Sequence, residues 1–137
     1  MRCQDRVCWI WRALAVELKQ VLASYGAAWN ETDLSKRLGF LESSWSDGGR
    51  YMDPAGTAQG RDQLANYIGE FQARMPGARI ELTSDASQHN ARIYFKWRLV
   101  TADGNTAIDG VDFGTLSDDG RLREIVGFFG TPPERTG

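Results

Sequence analysis

Apolar positions from Leu14 onward fall at helical spacing: Leu14, Leu18, Val21, Leu22 and Tyr25, with Glu17, Lys19 and Gln20 off the stripe. This pattern predicts an amphipathic helix running through Ala27 and Ala28 towards Trp29. Asn30, with Asp33 three residues later, predicts a cap-like start to a second helix. Its stripe is Leu34, Leu38, Leu41 and Trp45, and Asp47-Gly48-Gly49 ends the unit. Residues 50–53 read as a short strand stopped by Pro54, which has no N–H for a ladder bond. A glycine-containing loop, 55–60, leads to a third helix with the stripe Leu64, Tyr67, Ile68, Phe71 and Met75, closed by Pro76-Gly77.

After Gly77 the period becomes two. Ile80 and Leu82 alternate with polar residues, as do Ile93, Phe95, Trp97 and Leu99 with Tyr94, Lys96 and Arg98. Asp103-Gly104 and Asp119-Gly120 are hairpin signals, the first ahead of a strand over 106–116 and the second ahead of one over 121–129. Pro132 and Pro133 end the pattern. Helices first and a meander afterwards predict an α+β fold, with about three N-terminal helices packed on the concave face of a curved, mostly antiparallel sheet.

A chain of 137 residues is one domain on length alone. Sixteen Lys plus Arg against eighteen Asp plus Glu give a net charge of −2, and without a basic run no nucleic-acid partner is expected. No apolar stretch reaches the roughly twenty residues of a membrane span, so no membrane partner is expected either. Cys3 and Cys8 are too few for a disulfide framework and read as free thiols. One histidine, His89, excludes a His-rich metal centre, and no cofactor is expected. Residues 1–11 carry Arg2 and Arg6, but their apolar part is shorter than a secretory h-region. They read as a weakly ordered extension ahead of a domain over 12–131 and a tail over 132–137, and a cytoplasmic location is the default expectation.

A curved sheet that short helices cannot fill leaves an apolar cone with a few inward polar groups. Candidate wall residues are Trp29, Phe40, Tyr51, Phe71, Phe95, Trp97 and Phe128; any one of them alone reads equally as ordinary core. In Gly110-Val111-Asp112-Phe113-Gly114, alternation puts Gly110, Asp112 and Gly114 on one face and Val111 and Phe113 on the other. Turned inward, Asp112 stands in an apolar chamber with room beside it, where desolvation raises its pKa. Turned outward, it is solvated and Val111 and Phe113 are core. Parity leaves both arrangements open. Asp53 shares parity with Tyr51, and its extended position before Pro54 fixes its carboxylate, either at a cavity rim or in an Asp-Pro turn bonding local backbone.

At these residues the chain resembles the SnoaL-like, NTF2-like superfamily of cone-shaped α+β proteins, over about residues 14–129. The resemblance rests on the order helix, helix, Tyr51-Met52-Asp53-Pro54, Gly60-Arg61 opening a helix, then Val111-Asp112-Phe113, Asp119-Gly120-Arg121-Leu122 and Gly127-Phe128. Ketosteroid isomerases of that superfamily are similar at three positions. The resemblance implies Asp53 as a general base, with Tyr25 and a neutral Asp112 as donors to a developing enolate oxygen. Polyketide cyclases of the type are similar in using a strand Asp for proton transfer, which matches Asp112.

The function this implies is proton transfer on a small apolar carbonyl compound, of isomerase, cyclase or dehydratase type. Trp29, Tyr51, Phe71, His89, Phe95, Trp97 and Phe128 are the expected substrate contacts. The alternative is a non-catalytic ligand-binding or dimerising module on the same cone, because fold does not fix function. An inward Asp112 would put Val111 and Phe113 on the convex face with Tyr94 and Val100, which predicts a homodimer through the outer sheet surface.

Overall fold

The computed structural model describes residues 6–137, with side chains from Glu17 onward. The first five residues of the expected extension, and the Cys3 and Cys8 thiols, lie outside that description. In chain order the elements are α1 (Arg6–Asn30), α2 (Leu34–Ser44), β1 (Trp45–Asp53), β2 (Gly56–Gln59), α3 (Gly60–Arg74), β3 (Arg79–Leu82), β4 (Ser87–His89), β5 (Arg92–Val100), β6 (Thr106–Leu116) and β7 (Leu122–Phe129). Among the described residues no helix is long and apolar enough to cross a membrane.

The strands form one sheet in the order β2-β1-β7-β6-β5-β3, with β4 also paired to β5. Every pairing is antiparallel except β1 with β7. The parallel pair explains the order: after β1 and β2 the chain crosses once through α3 to the far edge, then β5, β6 and β7 step back until the last strand lies alongside β1. The helices pack on one face, where Leu41, Leu64, Ile68, Ile93, Leu122 and Ile125 are almost wholly buried.

Two helix boundaries differ from expectation. Asp33 alone caps α2, accepting from the Lys36 amide at 2.9 Å. Asn30 ends α1 and clamps β3 instead, donating to the Ile80 carbonyl and accepting from its amide, both at 2.8 Å. The strand expected over 50–53 begins at Trp45, because Asp47-Gly48-Gly49 is an irregularity inside β1 and not a terminator. The ladder to β7 shifts register between Trp45 and Arg50, and Gly48 takes φ +74, which a side chain would disfavour.

Alternation on β5 and β6 settles which face is which. Ile93, Phe95, Trp97 and Leu99 point inward, as do Gly110, Asp112 and Gly114, while Tyr94 and Phe113 are exposed. Across the strands Tyr94 faces Phe113 and Phe113 faces Val126, and Val111 faces Phe128, so these side chains make the apolar part of the outer surface. Val100 is not among them. A register shift between Leu99 and Val100 breaks the alternation and buries both.

One charged side chain holds the helical layer together. Arg37 of α2 is buried, with its guanidinium donating to the carbonyls of Glu31 (3.0 Å), Ala65 (2.9 Å) and Thr32 (3.3 Å) and to Gln72 Oε1 (2.8 Å). Gln72 in turn donates to the Trp29 and Glu31 carbonyls, each at 3.0 Å. The α1–α2 turn, α2 and α3 therefore share one hydrogen-bonded hub. Removing its donor leaves several acceptors without partners, at about 1–3 kcal/mol for each one kept from water. Arg37→Met is expected to lower unfolding free energy by about 3 kcal/mol, measured by urea denaturation. A loss below about 0.5 kcal/mol would show that water replaces the guanidinium at no cost.

Candidate functional site

The inward face of the sheet does not fill completely. Between α1, α3 and strands β1, β3, β5, β6 and β7 lies a cavity of about 200 Å³. Its wall is almost entirely apolar and aromatic, including Trp29, Phe71, Met75, Ile80, Leu82, Leu99 and Phe129. The polar lining groups are Tyr25, Tyr51, Asp53, Tyr67, Arg74, Asp112 and the Trp97 indole. Tyr25, Asp53 and Asp112, 87 residues apart at the extremes of the chain order, thus open onto one hollow.

Glycines create the space around the acids. A Cβ on Gly110 would overlap the Trp97 indole, so only glycine at 110 lets that ring lie across β6. From there Trp97 Nε1 donates to Asp112 Oδ1 at 2.9 Å. Gly127 is the cross-strand partner of Asp112. A Cβ there would lie 3.0 Å from Asp112 Oδ1 and 3.4 Å from the Asp53 Cβ, so the missing side chain leaves room for the Asp112 carboxylate beside the Asp53 side chain.

The two acids live in different surroundings. Asp112 is only 6% exposed and accepts one hydrogen bond, from Trp97. Burial pushes its carboxyl up from the ordinary 3.8 to about 7; the indole donor opposes this and the Asp53 charge adds to it. Asp53 instead holds four donors. Its Oδ1 accepts from the Ala55 amide (2.7 Å), the Gly56 amide (3.1 Å) and the Tyr67 hydroxyl (2.6 Å), and Oδ2 accepts from the Tyr51 hydroxyl (2.6 Å). The Asp-Pro turn and the place on the cavity are therefore both realised by the same side chain. Burial, then the Asp53 bond and charge, raise the Tyr67 phenol well above its ordinary value.

Tyr25 is the opposite case. Its ring is 2% exposed, stacks on Trp45 at 5.7 Å and 12°, and meets Trp29 edge-on at 6.5 Å. Its hydroxyl is buried without a hydrogen-bond partner among the described residues. Burial first, and the neighbouring Asp112 charge second, hold its proton on well above the usual phenol range, with the nearby Trp29 side chain opposing them though it makes no well-formed hydrogen bond. An unmatched buried hydroxyl costs about 1–3 kcal/mol, which a ligand oxygen would recover.

Of the expected contacts, Trp29, Tyr51, Phe71 and Trp97 line the cavity. Three do not. Phe95 shares the inward face with Trp97 but is packed into the solid core and is off the cavity wall. Phe128 is 58% exposed, because β7 turns Gly127 and Phe129 inward and 128 outward; Phe129 takes the wall position, edge-on to Trp97. His89 ends β4 and is exposed, with its ring against the Asn90 side-chain amide. Phe40 of α2 also faces outward. Sequence reasoning missed Tyr67 and Arg74. A tyrosine within an apolar helix stripe needs a partner for its hydroxyl, and that requirement was the available signal. No three His, Cys, Asp or Glu side chains among the described residues gather as a metal site.

Three helices on a curved, mixed sheet around an apolar cone define a class of α+β proteins. The chain belongs to the SnoaL-like domain family, whose pattern matches residues 21–125. It is similar to a candidate isomerase of the SnoaL-like family from Agrobacterium tumefaciens strain C58, at 30% identity and TM-score 0.78, covering 85% of this chain and 99% of that one. The fold is also that of a hypothetical protein with a ketosteroid isomerase-like fold from Catenulispora acidiphila in complex with trimethylamine, at 13% identity and TM-score 0.65, over 81% and 85% of the chains. A third, described as a candidate SnoaL-like polyketide cyclase, comes from Jannaschia, at 14% and 0.59 over 81% and 85%. No curated protein sequence matches.

The buried acid makes a test that needs no substrate. An aspartate that ionises near 3.8 when unfolded and near 7 when folded binds more protons in the folded chain between those values. Stability should therefore fall as pH rises from about 4 to about 7, by up to about 4 kcal/mol from this one group. Asp112→Asn should abolish that part of the decline, matching or exceeding the parent at pH 8 and not at pH 4. Parallel melting curves for both proteins would overturn the inward, desolvated acid.

Proposed function

We propose that this protein transfers a proton on a small apolar carbonyl compound bound in the cone, as an isomerase, cyclase or dehydratase does. The observation that carries the reading is the pairing of an unmatched, buried Tyr25 hydroxyl with a carboxyl that titrates near neutrality, in one apolar cavity. The carbonyl oxygen accepts from Tyr25, whose proton is held firmly enough to donate and not transfer. Asp112, ionised, takes a proton from the carbon next to the carbonyl. Negative charge moves to the oxygen, where Tyr25 stabilises it. Return of the proton from Asp112 to another carbon completes an isomerisation with nothing gained or lost. A base whose pKa lies at the operating pH is suited to both steps.

Asp53 is then an anchor. Four donors occupy it, and its charge orients Tyr51 and Tyr67 and helps keep Asp112 protonated at rest. The assignment implied by ketosteroid isomerases, with Asp53 as base and neutral Asp112 as second donor, is supported by the place of both acids on one cavity and by the Asp53 charge that helps raise the Asp112 pKa.

The pH profile separates the two. With Asp112 as base, α-proton exchange of acetophenone in D2O should rise with pH and level above about 7; with Asp112 as neutral donor it should fall above that value. Asp112→Asn should cost about 10²–10⁴ in exchange rate and Tyr25→Phe about 10²–10³. Binding of acetophenone and related aryl ketones with no exchange above buffer would leave a ligand-binding module.

The outer sheet face supports a second proposal, that two copies pack through it. Phe113 is 44% exposed beside Tyr94, Val126, Val111 and Phe128. Charges of both signs flank the patch, Arg92 and Lys96 on one strand and Asp109 and Glu124 on the next two, as a self-complementary two-fold contact requires. Sedimentation should give a dimer that Phe113→Lys with Phe128→Lys converts to monomer. A monomeric parent at 100 µM, roughly a hundred times a typical micromolar dissociation constant, would rule this interface out.

A further inference from the structure

Arg74 is the last residue of α3, and it lines both the cavity and an adjoining surface groove beside Pro76, Thr101 and Asp103. It therefore stands where the hollow opens. Among the described residues it makes no side-chain hydrogen bond and pairs with no carboxylate; Glu70, one turn earlier, does not reach it. Yet its field reaches the Tyr67 hydroxyl that donates to Asp53. The only cation of the lining is thus uncommitted, at the mouth of a hollow whose inner acids are Asp53 and Asp112.

That charge distribution sorts ligands by where an anion can sit. Inside, two carboxylates repel it and the wall offers no counter-charge. At the rim, a guanidinium presents a planar fork that matches a carboxylate with two parallel N–H donors, worth more than a single neutral contact. We propose that Arg74 selects carboxylate-bearing substrates: a small aryl or alkyl keto acid whose carboxylate stays at the rim on the guanidinium while its carbonyl reaches Tyr25. This rests on the reading of the cavity as a proton-transfer site. It adds the substrate's second functional group and its orientation, carbonyl inward and acid outward. It also explains how an enolate can form next to two aspartates on an anionic molecule, because the fixed charge is held away from the reacting end.

The rigid probe 4-acetylbenzoate carries both groups at opposite ends of one ring, and its methyl ester removes the charge alone. At low ionic strength the parent protein should bind the acid at least about tenfold more tightly than the ester. The ratio should shrink with salt, since an exposed pair is screened. Arg74→Ala should bring the ratio to about one, Arg74→Lys should keep part of it, and Lys36→Ala, an exposed charge on α2, should leave it at the parent value. A parent ratio of one or less, or a tenfold ratio that survives Arg74→Ala, overturns the proposal. Deuterium exchange into the acetyl group separates this from the reading beneath it. Exchange of the ester with no preference for the acid rejects Arg74 and keeps the proton-transfer site. Preference for the acid with no exchange of either probe does the reverse.

Discussion

The Trp97 indole, laid flat across β6 where Gly110 has no side chain, reaches Asp112 and gives it the one hydrogen bond it has. The rest of the site depends on this contact. A carboxyl buried with no partner at all would cost several kcal/mol in either protonation state, and the strand would be better off turned over. A carboxyl given three or four donors would be locked in its ionised form. One donor is the intermediate case, enough to keep Asp112 inside and too little to hold its charge, so it titrates near neutrality. The same indole faces Phe129 and the aromatic wall, so the ring that tolerates the acid also keeps water away from it.

Two acids close enough to share a glycine's missing side chain would normally be expected to behave alike. They are set apart by what donates to them. Asp53, at the strand end before Pro54, meets two backbone amides of its own turn and two phenols converging from β1 and α3. Asp112, in mid-strand, has its backbone committed to neighbouring strands and only a side chain within reach. Local backbone geometry thus divides the two: the turn surrounds Asp53 with donors, and the strand leaves Asp112 with one donor and a raised pKa. The standing charge of the first raises the pKa of the second.

Much of the fold was legible because periodicity reports burial directly. The stripes of α1 and α3 and the alternation of β5 come from residues that can only be satisfied on one side. Glycine was harder to read. Asp47-Gly48-Gly49 looks like a stop and is a bulge, since positive φ occurs inside strands as well as between them. Gly110 and Gly114 carry no hydrophobic signal, so the inward face of β6 could not be told from the outward one, although Gly110 is what admits the Trp97 indole that reaches Asp112. Phe128 and Phe129 differ by one residue and point opposite ways, and a strand boundary read to within a residue or two cannot decide between them. Tyr67 was hidden in plain view, a polar tip on an apolar stripe. Arg74 had no signal in one dimension, because its meaning lies in having nothing to pair with.

Strand parity links the inside of this protein to its outside. To turn Asp112 inward, β6 must turn Val111 and Phe113 outward, and the partners in register on β5 and β7 add Tyr94, Val126 and Phe128 to the same surface. The chain cannot polarise that surface freely, because residues of good β propensity are what hold three central strands together. An inward acid therefore brings an outward apolar patch as a geometric consequence, before any question of a partner arises. The helical side faces no such constraint. There the Arg37 hub satisfies the carbonyls of the α1–α2 turn and of α3 with one guanidinium, and neither Arg37 nor Gln72 lines the cavity. Rigidity comes from polar contacts off the cavity wall, which leaves that wall free to remain apolar and incompletely filled.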